Sequence, residues 1–430
     1  MKKQLELTKQ IAEAVREAGG RALIVGGYAR DSVMRELGWQ IESKDIDVEV
    51  YGVTKEKLEQ VLSKLGVIEE TGKQFEVFKV RGHEFTSDDS SVDVSLPRRE
   101  QQVGPKHQDV KTEYDPDMSF DQAFARRDFT INALGLDPLT GEVIDVMNGV
   151  NDIKKKTIRM IDRERYVEDP LRPLRAAQFA ARFGFKINQA TVEVSRTVDM
   201  AHLPPARIGA EWLKLLVWSP KPSIGLKAAQ EMYVLRQLHP ELEAIYSTKL
   251  LKEIDRAANL CDKLSLSEKE NMMLAVLVKD LPEPRNFLKQ LEINKARINL
   301  ITKLVNERNF LQEFSEFSSV DLQRLSYRLS PASIAELICL ITVEGGKTKK
   351  LEDRAFALKI LKKPPERILE GRHLVDMGMK QSPEIGKIVE NIYQAQLNGE
   401  INNLKEAKEL VKQFYGKADR TTSKTKPTQK

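Results

Sequence analysis

The stretch "KDIDVEVYG", residues 44–52, decides how the first part of this chain is interpreted. Its valines and tyrosine favour a β-strand, and Gly52 marks a turn behind it. Asp45 and Asp47 lie two positions apart, so a strand places both carboxylates on the same face. Neighbouring carboxylates repel each other, and the arrangement therefore needs an explanation. Taken alone, the pair is most simply read as a polar edge strand or as caps for a neighbouring loop.

The composition indicates a globular protein of several domains. The chain has 430 residues, of which 41% are hydrophobic and 31% are charged, with a formal net charge of +5. That length allows roughly two to four domains. Two cysteines, Cys261 and Cys339, lie far apart in the sequence and predict no disulfide framework. This cysteine usage favours a reducing compartment, and we expect a cytoplasmic protein.

The first residues do not have the pattern of a targeting segment. "MKKQLELTKQIAEAVREAGG" contains lysines but no apolar core, and it predicts an amphipathic helix that ends at Gly19 and Gly20. The sequence contains no run of 18 apolar residues. We therefore expect no membrane partner.

The character of the sequence changes near residue 150. Before it, short β-rich runs such as "RALIVGG", "FEVFKV" and "SSVDVSLP" alternate with helical segments. After it, apolar residues recur at helical spacing, and proline-containing breakers separate the segments. The sequence predicts an α+β head followed by a long helical region. The last stretch, residues 416–430, is polar and basic, so we expect it to be disordered.

Three further features change the interpretation of the paired aspartates. The strand "ALIV" runs into Gly26 and Gly27 before a helix, and such a turn lets the backbone approach a phosphate closely. Asp93 lies in the middle of another strand pattern, where it could also be an ordinary surface residue. The segment "ARRDFTINAL", residues 125–134, places Arg127 and Asp128 just before an apolar run that contains Asn132. A solvated charge cluster that caps a helix would explain this last feature equally well.

Taken together, the acids predict a metal site for phosphate chemistry. Converging carboxylates need a positive counter-charge, and hard oxygen ligands suit Mg²⁺, which commonly binds one or two carboxylates together with substrate phosphates. Two such ions about 4 Å apart would clamp the attacking and leaving oxygens of a phosphoryl transfer. The sequence thus predicts a head that transfers a nucleotide, with Mg²⁺ as the cofactor.

The motifs resemble those of the class II tRNA nucleotidyltransferases and bacterial poly(A) polymerases. "GGYARD", "KDIDVEVYG", "RRDFTINAL", "EDPLRPLRAAQFAARFGF" and "ARIGAEWLKLL" occur in the order typical of that family, over roughly residues 20 to 235. The resemblance implies a polymerase-β type nucleotidyltransferase head, followed by an all-α neck, body and tail in a seahorse-like arrangement. The implied boundaries are 1–150 for the head, 151–225 for the neck, 226–345 for the body and 346–415 for the tail.

The resemblance also implies a role for each matching residue. Asp45 and Asp47 would bind two Mg²⁺ ions, and Asp93 would lie near the 3′-OH of the RNA primer. The incoming triphosphate would be held by Gly26, Gly27 and Arg30, whereas the ribose and phosphates would contact Arg127, Asp128 and Asn132. Asp169 and Arg172 would read the base, with Arg175 close to the nucleotide. The implied partners are CTP, ATP and the acceptor arm and 3′ end of a tRNA.

The implied activity is addition of CCA, or part of it, without a nucleic-acid template. The connection between Asp93 and Arg127 has the length of the family's flexible loop but only part of its usual wording. Because the resemblance associates that loop with the switch to ATP, addition of CC alone, of A alone or of a poly(A) tail stays open. A catalytically inactive RNA-binding protein is an alternative of another class, although the intact acid set argues against it.

A phosphohydrolase with a histidine–aspartate metal site is a further alternative for the helical region. The segment "MMLAVLVKDLPEP" has Lys279 and Asp280 where such a site requires a histidine followed by an aspartate. An ammonium group repels a metal cation that an imidazole would bind. We therefore expect no hydrolase activity from this region.

The chemistry of Asp169 and Arg172 explains how one site could select both C and A. A carboxylate only accepts hydrogen bonds and a guanidinium only donates them. Cytosine and adenine each present an amine beside a ring acceptor, whereas uracil and guanine present a carbonyl beside a ring N–H. A purely structural role is also expected, with Asp169 as a helix N-cap and Pro170 at the first helical position.

Overall fold

The computed structural model describes residues 1–43, 45–71, 77–83, 91–102, 110–312 and 318–415. The chain forms two compact units, Met1–Ala244 and Ile245–Lys430. The predicted disordered segment at 416–430 lies outside the described residues, as does the part of the predicted flexible loop at 103–109. The division into head, neck, body and tail at residues 150, 225 and 345 stays a prediction.

The first unit contains a mixed sheet with seven strands in the described part of the chain, ordered β3-β4-β5-β2-β1-β8-β9. The strands are β1 (Arg21–Val25), β2 (Asp47–Tyr51), β3 (Gly66–Thr71), β4 (Val77–Gly82), β5 (Val92–Ser95), β6 (Arg98–Gln102), β7 (Val110–Tyr114), β8 (Gly135–Leu136), β9 (Val143–Ile144), β10 (Thr157–Ile158) and β11 (Lys186–Ile187). The strands β6 and β7 form a separate antiparallel pair, and β10 and β11 form a short parallel pair. The β-rich head predicted from the sequence is confirmed.

The strand β2 lies at the centre of this sheet and has different neighbours on its two sides. It pairs antiparallel with β1 and parallel with β5. Val48 and Val50 lie in a core with residues of the N-terminal helix, such as Leu7 and Ile11. Tyr51 belongs to a second cluster on the opposite face. The alternation of β2 therefore buries its valines on one face and leaves the other face for the acids.

The helices of the first unit surround this sheet and continue beyond it. They are α1 (Lys2–Glu17), α2 (Gly27–Glu36), α3 (Lys55–Leu62), α4 (Phe120–Ala125), α5 (Gly149–Lys154), α6 (Arg163–Glu168), α7 (Arg172–Phe183), α8 (Gln189–Ser195), α9 (Pro205–Val217), α10 (Pro222–Glu231), α11 (Val234–Leu238) and α12 (Pro240–Ala244). The helix α7 packs against α9 and α10. Gly225 of α10 permits this close approach, since a Cβ there would lie 2.8 Å from the carbonyl oxygen of Ala177.

The described part of the second unit is helical. Its helices are α13 (Thr248–Leu260), α14 (Leu266–Val278), α15 (Pro284–Gln290), α16 (Lys295–Gln312), α17 (Ser319–Leu329), α18 (Ile334–Val343), α19 (Lys349–Ala357), α20 (Gly371–Asp376), α21 (Pro383–Leu397) and α22 (Leu404–Tyr415). The helix α14 is buried along its whole second half, which explains its continuous apolar sequence. Within the residues described, no helix combines the length and apolar character that crossing a membrane requires.

Candidate active site

The predicted acids come together at the start of β2. Asp47 is the first residue of β2 and pairs in register with Asp93 of the parallel strand β5. Asp45 precedes the strand by two residues, and its charge acts on both Asp47 and Asp93. The structure thus brings Asp45, Asp47 and Asp93 into one exposed group on, and just before, two neighbouring inner strands of the sheet.

The pKa values of two of these carboxyls are raised. For Asp47, desolvation is the largest cause, and the charges of Asp93 and Asp45 act in the same direction against Arg127. Desolvation is also the largest cause at Asp93, where Lys79 opposes it and Asp45 adds to it. Both carboxyls therefore lie where additional positive charge would stabilise their ionised form.

The donor atoms of this group suit a hard divalent cation. Among the described residues, no three His, Cys, Asp or Glu side chains are placed to hold a metal ion by themselves. Asp45 and Asp47 would therefore supply two carboxylates, and phosphate oxygens of a substrate would complete the coordination, which is the usual manner of Mg²⁺ binding. The group fits such an ion, and its negative charges provide a physical reason for binding it.

The second acid of β2, Glu49, was not identified in the sequence analysis, and it anchors two arginines. Glu49 is completely buried and lies on the same face of the strand as Asp47. Its carboxylate forms ion pairs with Arg126 and Arg127, the latter with 3.5 Å between Nη2 and Oε2, and accepts a 3.0 Å hydrogen bond from Tyr51. Burial favours the neutral acid, but the arginines and Tyr51 outweigh it and hold the pKa of Glu49 below its usual range.

Glu49 could have been found from the alternation of the strand. A charged residue two positions after Asp47, in a strand whose other face is apolar, shares the face of the acids. Its burial could not be read from that pattern. It depends on Arg126 and Arg127, which follow 77 and 78 residues later in the sequence.

The predicted phosphate-binding turn lies at the start of α2. Gly26 has φ of 68° and precedes the helix as its N-cap, without a side chain that caps the first amides. A Cβ at this position would lie 3.1 Å from Nη1 of Arg127. Gly27 is the first residue of the helix. Both the left-handed backbone and the close arginine therefore require glycine at position 26.

Arg30, Asp128, Asn132 and Arg175 form one hydrogen-bonded network. Arg30 donates to Oδ1 of Asn132 at 2.7 Å and to Asp31, and its guanidinium lies 4.7 Å from the ring centre of Phe183. Asn132 donates to Asp128 at 2.9 Å, and Asp128 accepts from Arg175 at 2.7 Å. The predicted nucleotide ligands therefore support one another within the first unit.

The burial of this network fixes its charges. Arg30 is 3% exposed, Asn132 6% and Asp128 9%. Burial would raise the pKa of Asp128, but the charge of Arg175 and three hydrogen bonds hold it below its usual range. Asn132 and Asp128 thus connect Arg30 to Arg175 through hydrogen bonds. Arg30 is buried, whereas Asp45, Asp47 and Asp93 are exposed.

Asp169 and Arg172 lie together but not as the sequence predicted. The helix α7 begins at Arg172 with Leu171 as its N-cap, so the prediction that Asp169 is the N-cap is wrong. Pro170 and Leu171 form a turn, in which the amide of Arg172 donates to the carbonyl of Asp169 at 3.0 Å. The helix therefore begins after this turn. The carboxylate of Asp169 accepts from Nη2 of Arg207 at 3.0 Å.

The side chain of Arg172 is held by backbone carbonyls. It donates to the carbonyl oxygens of Arg165 at 2.7 Å and Arg126 at 2.9 Å. The side chain of Arg126 also forms an ion pair with Glu49. Arg126 therefore contacts both Glu49 of β2 and the guanidinium of Arg172. Arg207 was not identified from the sequence, although it lies in the motif "ARIGAEWLKLL".

These residues line a cavity of about 600 Å³, here called the arginine cavity. Its walls hold seven arginines and three aspartates, which leaves it strongly positive. They comprise Gly26, Gly27, Arg30, Asp47, Arg98, Arg126, Arg127, Asp128, Asn132, Asp169, Arg172, Arg175, Phe179 and Arg182. The cavity thus contains every residue predicted to bind the nucleotide, together with Asp47 of the acid group. Its size and charge suit an anion as large as a nucleoside triphosphate.

In the second unit, Lys279 lies in a buried network of ion pairs. Its ammonium group is fully buried and lies 2.9 Å from Glu253 and 3.3 Å from Glu344, and it also pairs with Asp280. Burial lowers the pKa of a lysine, but hydrogen bonds with Asp280 and Glu253 outweigh it and raise the pKa of Lys279. Lys279 therefore supplies the positive charge in this cluster of acids.

Two family models match the chain. The one described as "Poly A polymerase head domain" matches residues 22–159, and the one described as "tRNA nucleotidyltransferase domain 2 putative" matches residues 263–410. The "Multifunctional CCA protein" of Psychromonas ingrahamii is 34% identical over 273 residues, which are 60% of this chain and 62% of that relative. The chain thus spans less than two thirds of the length of this curated relative.

Solved structures share the fold over nearly the whole chain. The CCA-adding enzyme of Bacillus stearothermophilus in complex with CTP matches with a TM-score of 0.67 and 20% identity, covering 98% of this chain and all of that one. The CCA-adding enzyme of Thermotoga maritima complexed with tRNA-CCA matches with a TM-score of 0.64 and 20% identity, covering 95% of each chain. The α+β head followed by a helical remainder is thereby confirmed.

Proposed function

We propose that the chain is a tRNA nucleotidyltransferase that adds CCA, or part of it, to the 3′ end of tRNA from CTP and ATP. The matches to a poly(A) polymerase head domain and to a tRNA nucleotidyltransferase domain support this proposal. The observation that carries this proposal is the position of the exposed acids Asp45, Asp47 and Asp93 beside the arginine cavity. An exposed acid group next to a cavity rich in arginine is the combination that nucleotidyl transfer requires.

The proposed reaction joins the RNA 3′ end to the α-phosphorus of a nucleotide. The oxygen of the 3′-OH forms the new bond, the bond from the α-phosphorus to its bridging oxygen breaks, and pyrophosphate leaves. Asp45 and Asp47 would hold Mg²⁺, which when bound neutralises phosphate charge and polarises the reacting phosphoryl group. Asp93, the register partner of Asp47, would lie near the 3′-OH of the RNA.

The arginine cavity would bind and orient the nucleotide. Arg127, anchored by Glu49, and the amides behind Gly26 would face its phosphates. Asp169 and Arg172 would read the base edge, and both are held in place by neighbouring groups rather than by solvent. Fixed donors and acceptors of this kind select cytosine and adenine without a template, because a mismatched base leaves buried polar groups unpaired.

The relatives support the choice of substrates. The Bacillus structure is a complex with CTP and the Thermotoga structure is a complex with tRNA. A cytoplasmic location is part of the same proposal and is supported by the free thiols of Cys261 and Cys339.

An assay of the product tests the proposal directly. Purified protein is incubated with Mg²⁺, each labelled nucleoside triphosphate in turn, and tRNA transcripts that end at the discriminator base, at C or at CC. We expect CTP to extend the first two transcripts and ATP to extend the third. Extension of the first two transcripts by C without later addition of A would identify a CC-adding enzyme. Extension of only the third transcript, by A, would identify an A-adding enzyme, and a long A tail would identify a poly(A) polymerase. Absence of transfer to every transcript would contradict the proposal.

A further inference from the structure

The two cysteines of the chain are 78 positions apart in the sequence and meet in the second unit. Cys261 is the C-cap of α13 and is completely buried, whereas Cys339 lies within α18 and is partly exposed. Both are present as free thiols. We propose that Cys339 is a site of oxidation by a hydroperoxide, and that oxidised Cys339 forms a reversible disulfide with Cys261 that joins α13 to α18.

Two polar contacts fix the register of α13 against α18. Arg256 of α13 donates to the carbonyl oxygen of Val343 at 2.5 Å. Three residues earlier in α13, Glu253 is joined to Glu344, which follows α18, through the ammonium group of Lys279. Contacts that advance along α13 therefore move backwards along α18, so the two helices run antiparallel.

The same register places the two cysteines opposite each other. Cys261 lies five residues after Arg256, about 7.5 Å along its helix, and Cys339 lies four residues before Val343, about 6 Å along the partner helix. The two thiols interact directly, since each takes part in a hydrogen bond with the other. Their sulfur atoms are thus neighbours in the folded chain, which is the condition for a disulfide that leaves both helices in place.

The two thiols are not equivalent, and Cys339 ionises more readily. The hydrogen bond with Cys261 lowers the pKa of Cys339, against the effects of burial and of the negative charge of Glu336. The same hydrogen bond, together with burial, raises the pKa of Cys261. The thiolate is the nucleophile of cysteine chemistry, and Cys339 is also the more exposed of the two. A hydroperoxide would therefore react first with Cys339.

The proposed oxidation proceeds in two balanced steps. The Cys339 thiolate attacks one oxygen of hydrogen peroxide, the O–O bond breaks, and a sulfenic acid forms while the released hydroxide takes a proton to become water. The sulfur of Cys261 then attacks the sulfur of Cys339, the S–O bond breaks, and the departing hydroxide takes the proton of the Cys261 thiol. Two thiols are oxidised to one disulfide, and one hydrogen peroxide is reduced to two molecules of water.

The disulfide would act on the second unit as a removable cross-link. It would close a loop of about 78 residues and so restrict the unfolded chain more than the folded one. Disulfides of this transient kind are the ones expected in a reducing compartment, where a thiol pool opens them again. The modification would take place whether or not the first unit transfers nucleotides.

Treatment of the full chain with hydrogen peroxide, followed by denaturation and alkylation, tests the proposal. We expect the number of alkylated thiols to fall from two to none per chain, and dithiothreitol to restore both. Peptide mass spectrometry should find Cys261 linked to Cys339 within one chain. The urea midpoint of unfolding should be higher in the oxidised protein than in the reduced protein, because the cross-link constrains the unfolded state.

Two variants assign the order of the steps. In Cys261→Ala, oxidised Cys339 should persist as a sulfenic acid that dimedone traps, whereas in Cys339→Ala the buried Cys261 should stay unmodified. The wild-type measurement stands without either variant. Two alkylated thiols after treatment of the wild type, disulfides only between separate chains, or oxidation of Cys261 in Cys339→Ala at the wild-type rate would each overturn the inference.

Discussion

Asp47 and Asp93 face each other as direct register partners on two parallel strands. Backbone pairing, rather than the side chains, keeps these like charges together. The two residues are 46 positions apart in the sequence, so neither strand alone contains the site. The repulsion between them is a fixed property of the folded state, and it has consequences for both activity and stability.

We expect Asp45→Ala and Asp47→Ala to abolish nucleotide transfer while leaving tRNA binding intact. Each change removes one carboxylate from the group that would hold Mg²⁺, and no neighbouring acid of β2 can replace it because Glu49 is committed to its arginines. Transfer assays and a gel-shift measurement of tRNA binding check this expectation. Activity near that of the wild type in either variant would refute the assignment of the acid group.

The stability of an Asp47→Asn variant should carry a pH signature. The pKa of Asp47 is raised in the folded state, so the ionised group opposes folding at neutral pH. The variant should therefore be slightly more stable at pH 7, by less than about 1 kcal/mol because the group is exposed. Below about pH 3.9 the wild-type carboxyl is protonated in both states, and the difference should vanish. Urea titrations at pH 7 and pH 3.5 measure both values.

We expect Glu49→Gln to destabilise the protein and to weaken nucleotide binding. Removing one partner of a buried ion pair costs about 3–5 kcal/mol, and partial exposure of Arg126 and Arg127 places this variant near the lower end. The pKa of Glu49 is lowered in the folded state, so its stabilisation is present above the ordinary glutamate value of about 4.3 and is lost as the pH falls through the folded value. Urea titrations at pH 7 and pH 3.5 measure this loss.

The matched control for Glu49 is Glu142→Gln. Glu142 also pairs with an arginine, Arg21, but its side chain is 58% exposed, so we expect a loss below about 1 kcal/mol. In addition, the KM for CTP should rise in Glu49→Gln and not in Glu142→Gln, since only Glu49 positions arginines of the cavity. Equal effects of the two changes would show that Glu49 does not act as an anchor.

The next prediction concerns the choice of base. Asp169→Ala and Arg172→Ala should each lower incorporation of CTP and ATP and reduce discrimination against UTP and GTP by roughly ten- to hundredfold. We also expect Arg207→Gln to weaken discrimination, because Arg207 holds the carboxylate of Asp169. Competition assays with all four nucleotides measure these ratios. If the variants keep the wild-type selectivity, the base is read elsewhere.

A further prediction concerns the stability contribution of Lys279. Lys279→Met should destabilise the protein by about 3–5 kcal/mol, because it leaves Glu253 and Glu344 as buried acids without their central cation. Since the pKa of Lys279 is raised, its stabilisation persists below the ordinary lysine value of about 10.4 and is lost as the pH rises through the folded value. Lys252→Met, on the exposed side of α13, is the control and should change stability little.

The same network bears on hydrolase activity of the second unit. We expect no hydrolysis of 2′,3′-cyclic nucleotides or phosphomonoesters with Ni²⁺, Mn²⁺ or Mg²⁺, because Lys279 stands where such a site requires a histidine and its ammonium group is paired with Glu253. Hydrolysis that persists in Asp45→Ala, in which nucleotide transfer is removed, would contradict this expectation.

The sequence predicted the residues of the site better than their connections. Period-two alternation predicted that Asp45 and Asp47 share a strand face, whereas β2 begins only at Asp47. The motif order indicated Asp128, Asn132 and Arg175, which line one cavity in the structure. Burial of Asp128 and Asn132 was not predictable, because it arises when α7 packs against the segment around residue 130. Local sequence patterns predict on which face of an element a side chain lies. They do not predict its contacts with residues that are distant in the sequence.

The start of α7 shows the same limit on a smaller scale. Pro170 and Pro173 are both compatible with a first helical turn, so the sequence allowed the helix to begin at either. In the structure the helix begins at Arg172, whose guanidinium donates to the carbonyls of Arg165 and Arg126. The first residue of the helix thus also makes contacts with other segments, which the local sequence does not show.

The ion pairs of Glu49 with Arg126 and Arg127 also limit which sequence changes β2 can accept during evolution. Asp47, which belongs to the exposed acid group, and Glu49, which contacts the two arginines, are spaced by one pleat repeat of a single strand, about 6.6 Å. Substitution of Val48 or Val50 by another apolar residue leaves that spacing untouched. Insertion or deletion of one residue between them would turn one acid to the apolar core and separate the two tasks. This stretch should therefore diverge among descendants by exchange of side chains alone, and length variation should collect in the connections around it.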